Sequence, residues 1–350
     1  MTRGYVLPAT EVKNLADEEY AYPVYSSQTK DNGLMGYYND YLYENAITWT
    51  TDGANAGTVH FRSGKFYCTN VCGVLLNDDG NANRCIAEIL GSVSKKYVSY
   101  VGNPKLMNNV MAEIRISIPN LAEQQKIDAF LSVIDLRVQK QQELIEHLKK
   151  YKRGASNSFF NDKAVSNSSS VLPFGQTVEI NPKTKSLPTD FIYIDLESVE
   201  SGKLLHKNII SHDNAPSRAQ RVLSKGDVLF QMVRPYQKNN FYFESELSLP
   251  SVASTGYAQI RCNDNDPLFV FEQISSDYFS NQAMLRSTGT GYPAINADSL
   301  AEIPFIKFPI EEQRKIGKFL YLLSQRIVQE ESKLDSLFKV KAAMLQSLFI

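Results

Sequence analysis

Pro119–Leu131 reads PNLAEQQKIDAFL, and Pro309–Leu320 reads PIEEQRKIGKFL. Glu123, Gln124, Lys126, Ile127, Phe130 and Leu131 return as Glu312, Gln313, Lys315, Ile316, Phe319 and Leu320, at a constant offset of 189 residues. The offset holds upstream, where Ala112–Ile114 returns as Ala301–Ile303. It holds downstream, where Phe160 matches Phe349. Self-similarity sustained this far marks a duplicated structural unit.

Beyond each Glu-Gln pair the apolar residues fall into heptads. The first copy has the seam rows Ile127, Ile134, Gln141, Leu148, Ala155 and Leu131, Val138, Ile145, Lys152, Phe159. The second has Ile316, Leu323, Glu330, Leu337, Met344 and Leu320, Ile327, Leu334, Lys341, Leu348. Such rows predict two long helices of the coiled-coil kind, each on the order of 55 Å at about 1.5 Å per residue. Polar breaks interrupt the seams at matching places. An antiparallel pairing that sets Lys152 against Glu330 and Gln141 against Lys341 would match both polar layers, so Gln141, Lys152, Glu330 and Lys341 are expected to fix the register. The alternative is two unrelated amphipathic helices on separate cores.

Ahead of each helix lies a block of short β-like runs, aromatics and Gly/Asn/Asp turns. Ala46–Thr51, Thr58–Phe61 and Phe66–Leu76 read as strands, and each block closes on an apolar strand, AEIRISIP or AEIPFIKFP, that leads into the helix. The expected organisation is a globular block at 1–119, a helix at 120–160, a polar Ser/Asn-rich linker at 161–170, a second block at 171–309 and a second helix at 310–350. The fold class is α+β, with two β-rich blocks and the helices packed as an antiparallel coiled coil.

A formal net charge of -1 gives no global argument for a nucleic-acid partner and leaves room for local basic patches. Cys68, Cys72, Cys85 and Cys262 form no paired CxxC units and read as ordinary thiols, with no metal site. No stretch has the apolar length of a membrane span, and the first twenty residues hold no signal-peptide run, so the reading is a reduced, cytoplasmic protein.

The doubled EQ-x-KI-x-x-FL opening, led by a proline in each copy, and the block-helix-block-helix layout resemble the specificity (S) subunit of type I restriction-modification enzymes. Tyr22–Leu75 resembles one subtype of that family's target recognition domain. The resemblance implies a non-catalytic subunit whose blocks each read one half of a split, asymmetric sequence in double-stranded DNA. The helices would space the two halves and dock two methyltransferase subunits, through which restriction/translocase subunits join. S-adenosylmethionine would belong to the methyltransferase partner, and this chain would hold no cofactor. The family has a further lead segment before the motif seen here as RGYVLP (Arg3–Pro8), so the first block is expected to lack an edge strand. An inactive shortened copy is an alternative, as is a two-headed scaffold that binds partners other than DNA.

A DNA reader needs cationic and amide side chains on loops, because phosphate contacts position it and base-edge contacts specify. The first block offers Ser26, Ser27, Gln28, Lys30 and Asn32, then Thr51, Asp52 and Asn55, then Thr69 and Asn70. The second offers Arg218, Gln220 and Arg221, then Gln231, Arg234, Tyr236 and Lys238, then Ser254 and Thr255, then Thr288, Thr290, Tyr292 and Asn296. Thr50–Gly57, TTDGANAG, equally reads as a plain hairpin turn, since Asp-Gly favours that geometry. Ser287–Pro293 is Gly-rich but lacks the terminal Lys-Ser/Thr of a phosphate-binding loop, and no GxSxG, HExxH or glycine-rich cofactor loop appears.

Overall fold

A computed structural model describes residues 1–28, 30–77, 80–161, 170–184, 186–244 and 247–348. Residues 162–169 of the expected linker, and Phe349, lie outside the described residues, as do the side chains of Lys30 and Leu348. Contacts divide the chain into two units, Met1–Gln141 with Leu334–Ile350, and Gln142–Lys333. Each unit therefore holds one block and a stretch of both long helices.

The first unit runs β1 (Thr2–Arg3), β2 (Tyr22–Tyr25), β3 (Leu34–Tyr38), β4 (Tyr43–Thr50), β5 (Val59–Cys68), β6 (Cys72–Leu75), α1 (Arg84–Ser94), α2 (Asn108–Ala112) and the start of α3 (Leu121–Phe159). Its sheet has the order β1-β6-β4-β5-β2-β3, with only β2 and β5 parallel. Ile47 and Trp49 on β4 pack against Cys85, Ile86, Ile89 and Leu90 of α1, and Ile127 of α3 joins that core from the side. The buried Trp49 indole donates to Leu106 O at 3.1 Å, which satisfies its one polar group.

The second unit carries β7 (Val171–Pro173), β8 (Glu179–Ile180), β9 (Asp190–Ile194), β10 (Val199–Glu200), β11 (Lys203–Leu204), β12 (Asn208–Ser211), β13 (Ala219–Val222), β14 (Val228–Gln231), β15 (Phe241–Tyr242), β16 (Ser251–Ser254) and β17 (Tyr257–Arg261). Then come α4 (Pro267–Ile274), α5 (Asp277–Leu285), α6 (Ala297–Ala301), β18 (Pro304–Ile306) and α7 (Ile310–Leu348). Two four-stranded sheets, β12-β9-β16-β13 and β15-β14-β17-β8, share the work with the pairs β10-β11 and β18-β7. The main core joins Phe230 and Ile260 of the second sheet to Phe269 and Phe279 of the helices, and also takes in Phe160 just past α3 and Ile316 and Leu320 of α7.

The repeated phrase roots each block on its helix. Gln124 and Gln313 are 2% and 1% exposed. The Gln124 amide donates to Pro119 O at 2.8 Å and accepts from Asn83 Nδ2 at 2.7 Å, and Asn83 is the N-cap of α1. Gln313 donates to Phe308 O at 2.8 Å and accepts from the backbone N–H of Asp266 at 3.0 Å, and Asp266 is the N-cap of α4. The long-helix glutamine thus clamps the start of a block helix in both units. Four residues on, the copies diverge. Asp128 accepts from the Arg84 N–H at 3.0 Å, whereas α4 begins with Pro267, which has no N–H to satisfy. The matching position is Gly317, where an added Cβ would stand 2.5 Å from Phe269 N.

All described seam side chains are buried or half-buried, as the heptads predict. The helices run antiparallel in the second unit, where Lys149 meets Glu331 at 3.1 Å while the later Lys152 meets the earlier Ser324 at 2.5 Å. The expected polar layers are corrected. Lys152 reaches Ser324 and Glu272 of α4 (2.9 Å) instead of Glu330, and Lys341 reaches Asp135 (2.8 Å) and Glu88 of α1 (3.4 Å) instead of Gln141. The physical cause is demand from outside the seam. Glu272 is a buried carboxylate that needs a cation, and Glu330 already holds Arg326 at 2.7 Å and Lys333 at 3.0 Å.

Other expectations shift as well. The strands read as Thr58–Phe61 and Phe66–Leu76 resolve into β5 and β6, with a tight turn at 69–71. AEIPFIKFP contains a strand because β7 pairs with it, whereas AEIRISIP forms none, and no described strand lies beside it. A two-residue edge strand, β1, pairs with β6 where a missing edge was expected. The blocks are also less purely β than the sequence implied, since α1, α4 and α5 line their cores.

Candidate nucleic-acid interface

In the first unit the expected loops converge and bond to one another. The Thr69 hydroxyl donates to Ser26 Oγ at 3.0 Å, and the Asn55 amide donates to Ser27 O at 2.9 Å. Gln28 turns its amide onto Leu34 O. Asn32 sits at φ 53 in the turn before Gly33, with its side chain exposed. Thr51 is fully buried and lies 2.8 Å from Asp52 Oδ2 and 3.0 Å from Val71 O. Thr51 and Thr69 therefore hold the loops together, while Gln28, Asn32 and Asn70 face solvent. Asp52 is occupied by cations, Arg3 Nη2 at 3.1 Å and Lys105 Nζ at 3.9 Å. Its role is to orient them.

In the second unit a chain of backbone bonds sews four segments into one edge. Thr255 N donates to Arg218 O (2.9 Å), Met232 N to Gly256 O (3.0 Å), Ile295 N to Met232 O (3.0 Å) and Arg234 N to Pro293 O (2.7 Å). Arg218, Gln220, Tyr236, Thr288, Thr290, Tyr292 and Asn296 are exposed along it. The Arg234 guanidinium stacks 4.2 Å from the Tyr292 ring centroid, at φ 54. Four candidates have structural duties. Gln231 is buried and bonded to Gln237, Asn239 and Asn240. Ser254 is buried and caps Gly256 N, and Asn296 caps α6. Lys238 is tied to Asp277 at 2.5 Å. Burial alone would raise the Asp277 carboxyl, but Lys238 and Arg153 outweigh it and hold that group below its ordinary range. Arg221 is half-buried, and burial lowers its guanidinium.

The two edges are built alike. Ser99 and Lys105 exchange both backbone bonds at 2.9 Å, as do Thr288 and Ala294, 189 residues later. Leu106 N bonds Thr51 O and Gly53 N bonds Pro104 O, just as Ile295 N bonds Met232 O and Arg234 N bonds Pro293 O. Sequence reasoning took up the second hairpin and missed the first, although Pro104 and Pro293 obey the same offset. Arg3 and Arg62 were missed too. Arg62 is buried with no carboxylate partner among the described residues, its guanidinium 3.7 Å from the Tyr25 ring centroid and its Nε donating to Thr48 at 3.1 Å. Among the described residues no group of three or more His, Cys, Asp or Glu side chains could hold a metal. The four cysteines are buried and free, and burial pushes the Cys262 thiol up to about 12.

Two blocks of this kind, each rooted on a long helix and edged with amide and cationic loops, define a class of two-block, two-helix protein. Comparison with known proteins names the family. The type I restriction modification DNA specificity domain matches residues 8–150. A putative type I specificity subunit N-terminus from Mycoplasma pneumoniae is 41% identical over 132 residues, 37% of this chain and 69% of the relative. The type I restriction enzyme MpnII specificity subunit of that organism is 36% identical over 128 residues, 36% of this chain but only 38% of the relative. The crystal structure of a type I restriction-modification S subunit from M. genitalium shares the fold over 100% of this chain and 93% of its own, with a TM-score of 0.63 at 19% identity. The chain belongs to the family of type I restriction-modification specificity subunits, a family without enzymatic activity of its own.

Proposed function

We propose that this chain is the sequence reader of a type I restriction-modification complex in the cytoplasm. Each block reads one half of a bipartite, asymmetric site in double-stranded DNA. The observation that carries this reading is the pair of equivalent loop edges, with Lys105 and Arg3 on one and Arg218 and the stacked Arg234–Tyr292 pair on the other. Cations of this kind neutralise phosphates, and guanidinium and amide groups read base edges.

The long helices support docking of two identical partners. Phe130, Val133 and Arg137 form an exposed stripe on α3, and Phe319, Leu322 and Arg326 form its copy on α7. Exposed apolar side chains rimmed by charge fit a protein interface, and a repeated stripe fits two copies of one methyltransferase. S-adenosylmethionine and the methyl-transfer chemistry then sit in those partners, and restriction/translocase subunits join through them. Co-expression with the methyltransferase and gel filtration test the docking. Replacing Phe130 and Phe319 with Glu should release the partner, and an intact complex would refute it.

A further inference from the structure

The hairpin closed by Ser99 and Lys105 turns at Gly102 (φ 75) and carries Tyr100 and Val101 at its tip. Tyr100 is 70% exposed and Val101 92%. A single exposed valine needs no explanation, but this apolar pair stands among cations. Lys95 and Lys96 occupy the turn that leads into the hairpin, and Lys105 closes it. Arg3 is tied to Lys105 through the shared Asp52 carboxylate. Arg3 and Lys105 share one carboxylate, and Lys95 and Lys96 are exposed with no ion pair among the described residues, a balance that suits a polyanion rather than an apolar protein surface. The equivalent hairpin Thr288–Ala294 keeps the same backbone bonds but replaces the tip with Gly289, Thr290 and Gly291. One scaffold with two different tips is where two different half-sites would be told apart.

Resting on the DNA-reading function above, we propose that Tyr100 and Val101 contact base edges and set specificity in one half-site, while Lys95, Lys96, Lys105 and Arg3 hold the flanking phosphates. The tip at Thr290 is the corresponding determinant for the other half. Apolar side chains discriminate at base edges by contact or exclusion of the thymine methyl group, and basic side chains fix the register without reading sequence.

The test uses the full chain in complex with its methyltransferase and a set of duplexes in which each base pair of both half-sites is changed in turn. The Tyr100→Ala/Val101→Ser variant should lose about ten-fold in discrimination at one or two adjacent positions of one half-site, the scale of a mismatch cost. Discrimination in the other half should stay as in the wild type. Should that variant melt early, Val101→Thr, which keeps the shape and adds a hydroxyl, replaces it and should weaken discrimination at the same positions. Lys105→Ala should weaken binding to every duplex alike and reduce the salt slope by about one. Unchanged discrimination at every position, or an equal loss in both halves, would overturn the assignment. Wild-type complex that methylates without sequence preference would instead sink the DNA-reading proposal itself.

Discussion

Lys341 Nζ lies 2.8 Å from Asp135 Oδ1, and Lys152, its counterpart 189 residues earlier, lies 2.5 Å from Ser324, the counterpart of Asp135. Each lysine then finds a carboxylate of its own unit, Glu88 at 3.4 Å and Glu272 at 2.9 Å, in each case on the block that the other long helix follows in the chain. Burial alone would depress the Lys341 ammonium, but its hydrogen bond to Asp135 and the charges of Asp135 and Glu88 outweigh burial and hold it above its ordinary value. The seam lysines are therefore three-way joints between the two long helices and the first helix of each block.

This register is open to a direct crosslink. Lys152→Cys with Ser324→Cys should form an intramolecular disulfide under mild oxidation, whereas Lys152→Cys with Glu330→Cys should not. Non-reducing electrophoresis distinguishes them, and the reverse result would refute the register.

Glu272 is buried and Lys152 is its cation. Lys152→Met should cost about 3–5 kcal/mol by stranding that charge. The double variant with Glu272→Met should recover much of the loss. Urea denaturation of the two variants gives the answer, and a double variant no better than the single would count against the pair.

The buried Gln313 amide makes three bonds, to Phe308 O, Asn265 and the Asp266 N–H. Gln313→Ala leaves those groups unpaired and should destabilise by roughly 1–3 kcal/mol. Gly317→Ala discriminates more sharply. In an exposed helix the change would stabilise by about 1 kcal/mol, but here the new Cβ meets the Phe269 backbone at 2.5 Å. A loss of roughly 1–3 kcal/mol is expected, and a gain in melting temperature would contradict the close packing.

Acid should weaken the first unit through His60. Burial first, then the charges of Arg62 and Lys341, pushes this imidazole down to about 4. The unfolded chain takes up the proton near pH 6.5 while the folded chain resists until about 4. Stability from this group is thus complete above pH 6.5 and falls as the pH drops toward 4, by roughly 2–3 kcal/mol at pH 4.5. The loss between pH 7.5 and 4.5 should shrink by that amount in His60→Gln, measured by urea denaturation. An equal loss in both proteins would contradict the shift.

What the sequence carried was periodic. The repeat of Gln124 as Gln313 and the seam rows survive folding because burial along a helix follows directly from spacing. The register did not come through, because Lys152 and Lys341 are claimed by Glu272 and Glu88, residues on elements outside the seam. Loop residues were legible as loops but not as to duty. Thr51, Thr69, Gln231 and Ser254 have the right chemistry for bases, yet burial and their own hydrogen bonds consume it. The Ser99–Lys105 hairpin escaped notice because its polar content is low, although the repeat that located Thr288–Ala294 also locates it.

Single-molecule methylome sequencing of a host that carries this gene with its methyltransferase reads out directly whether the chain selects a DNA sequence. One bipartite, asymmetric methylated motif is expected, and it should disappear when this gene is deleted and the methyltransferase retained. A methylome with no motif that depends on this gene would contradict the DNA-reading function.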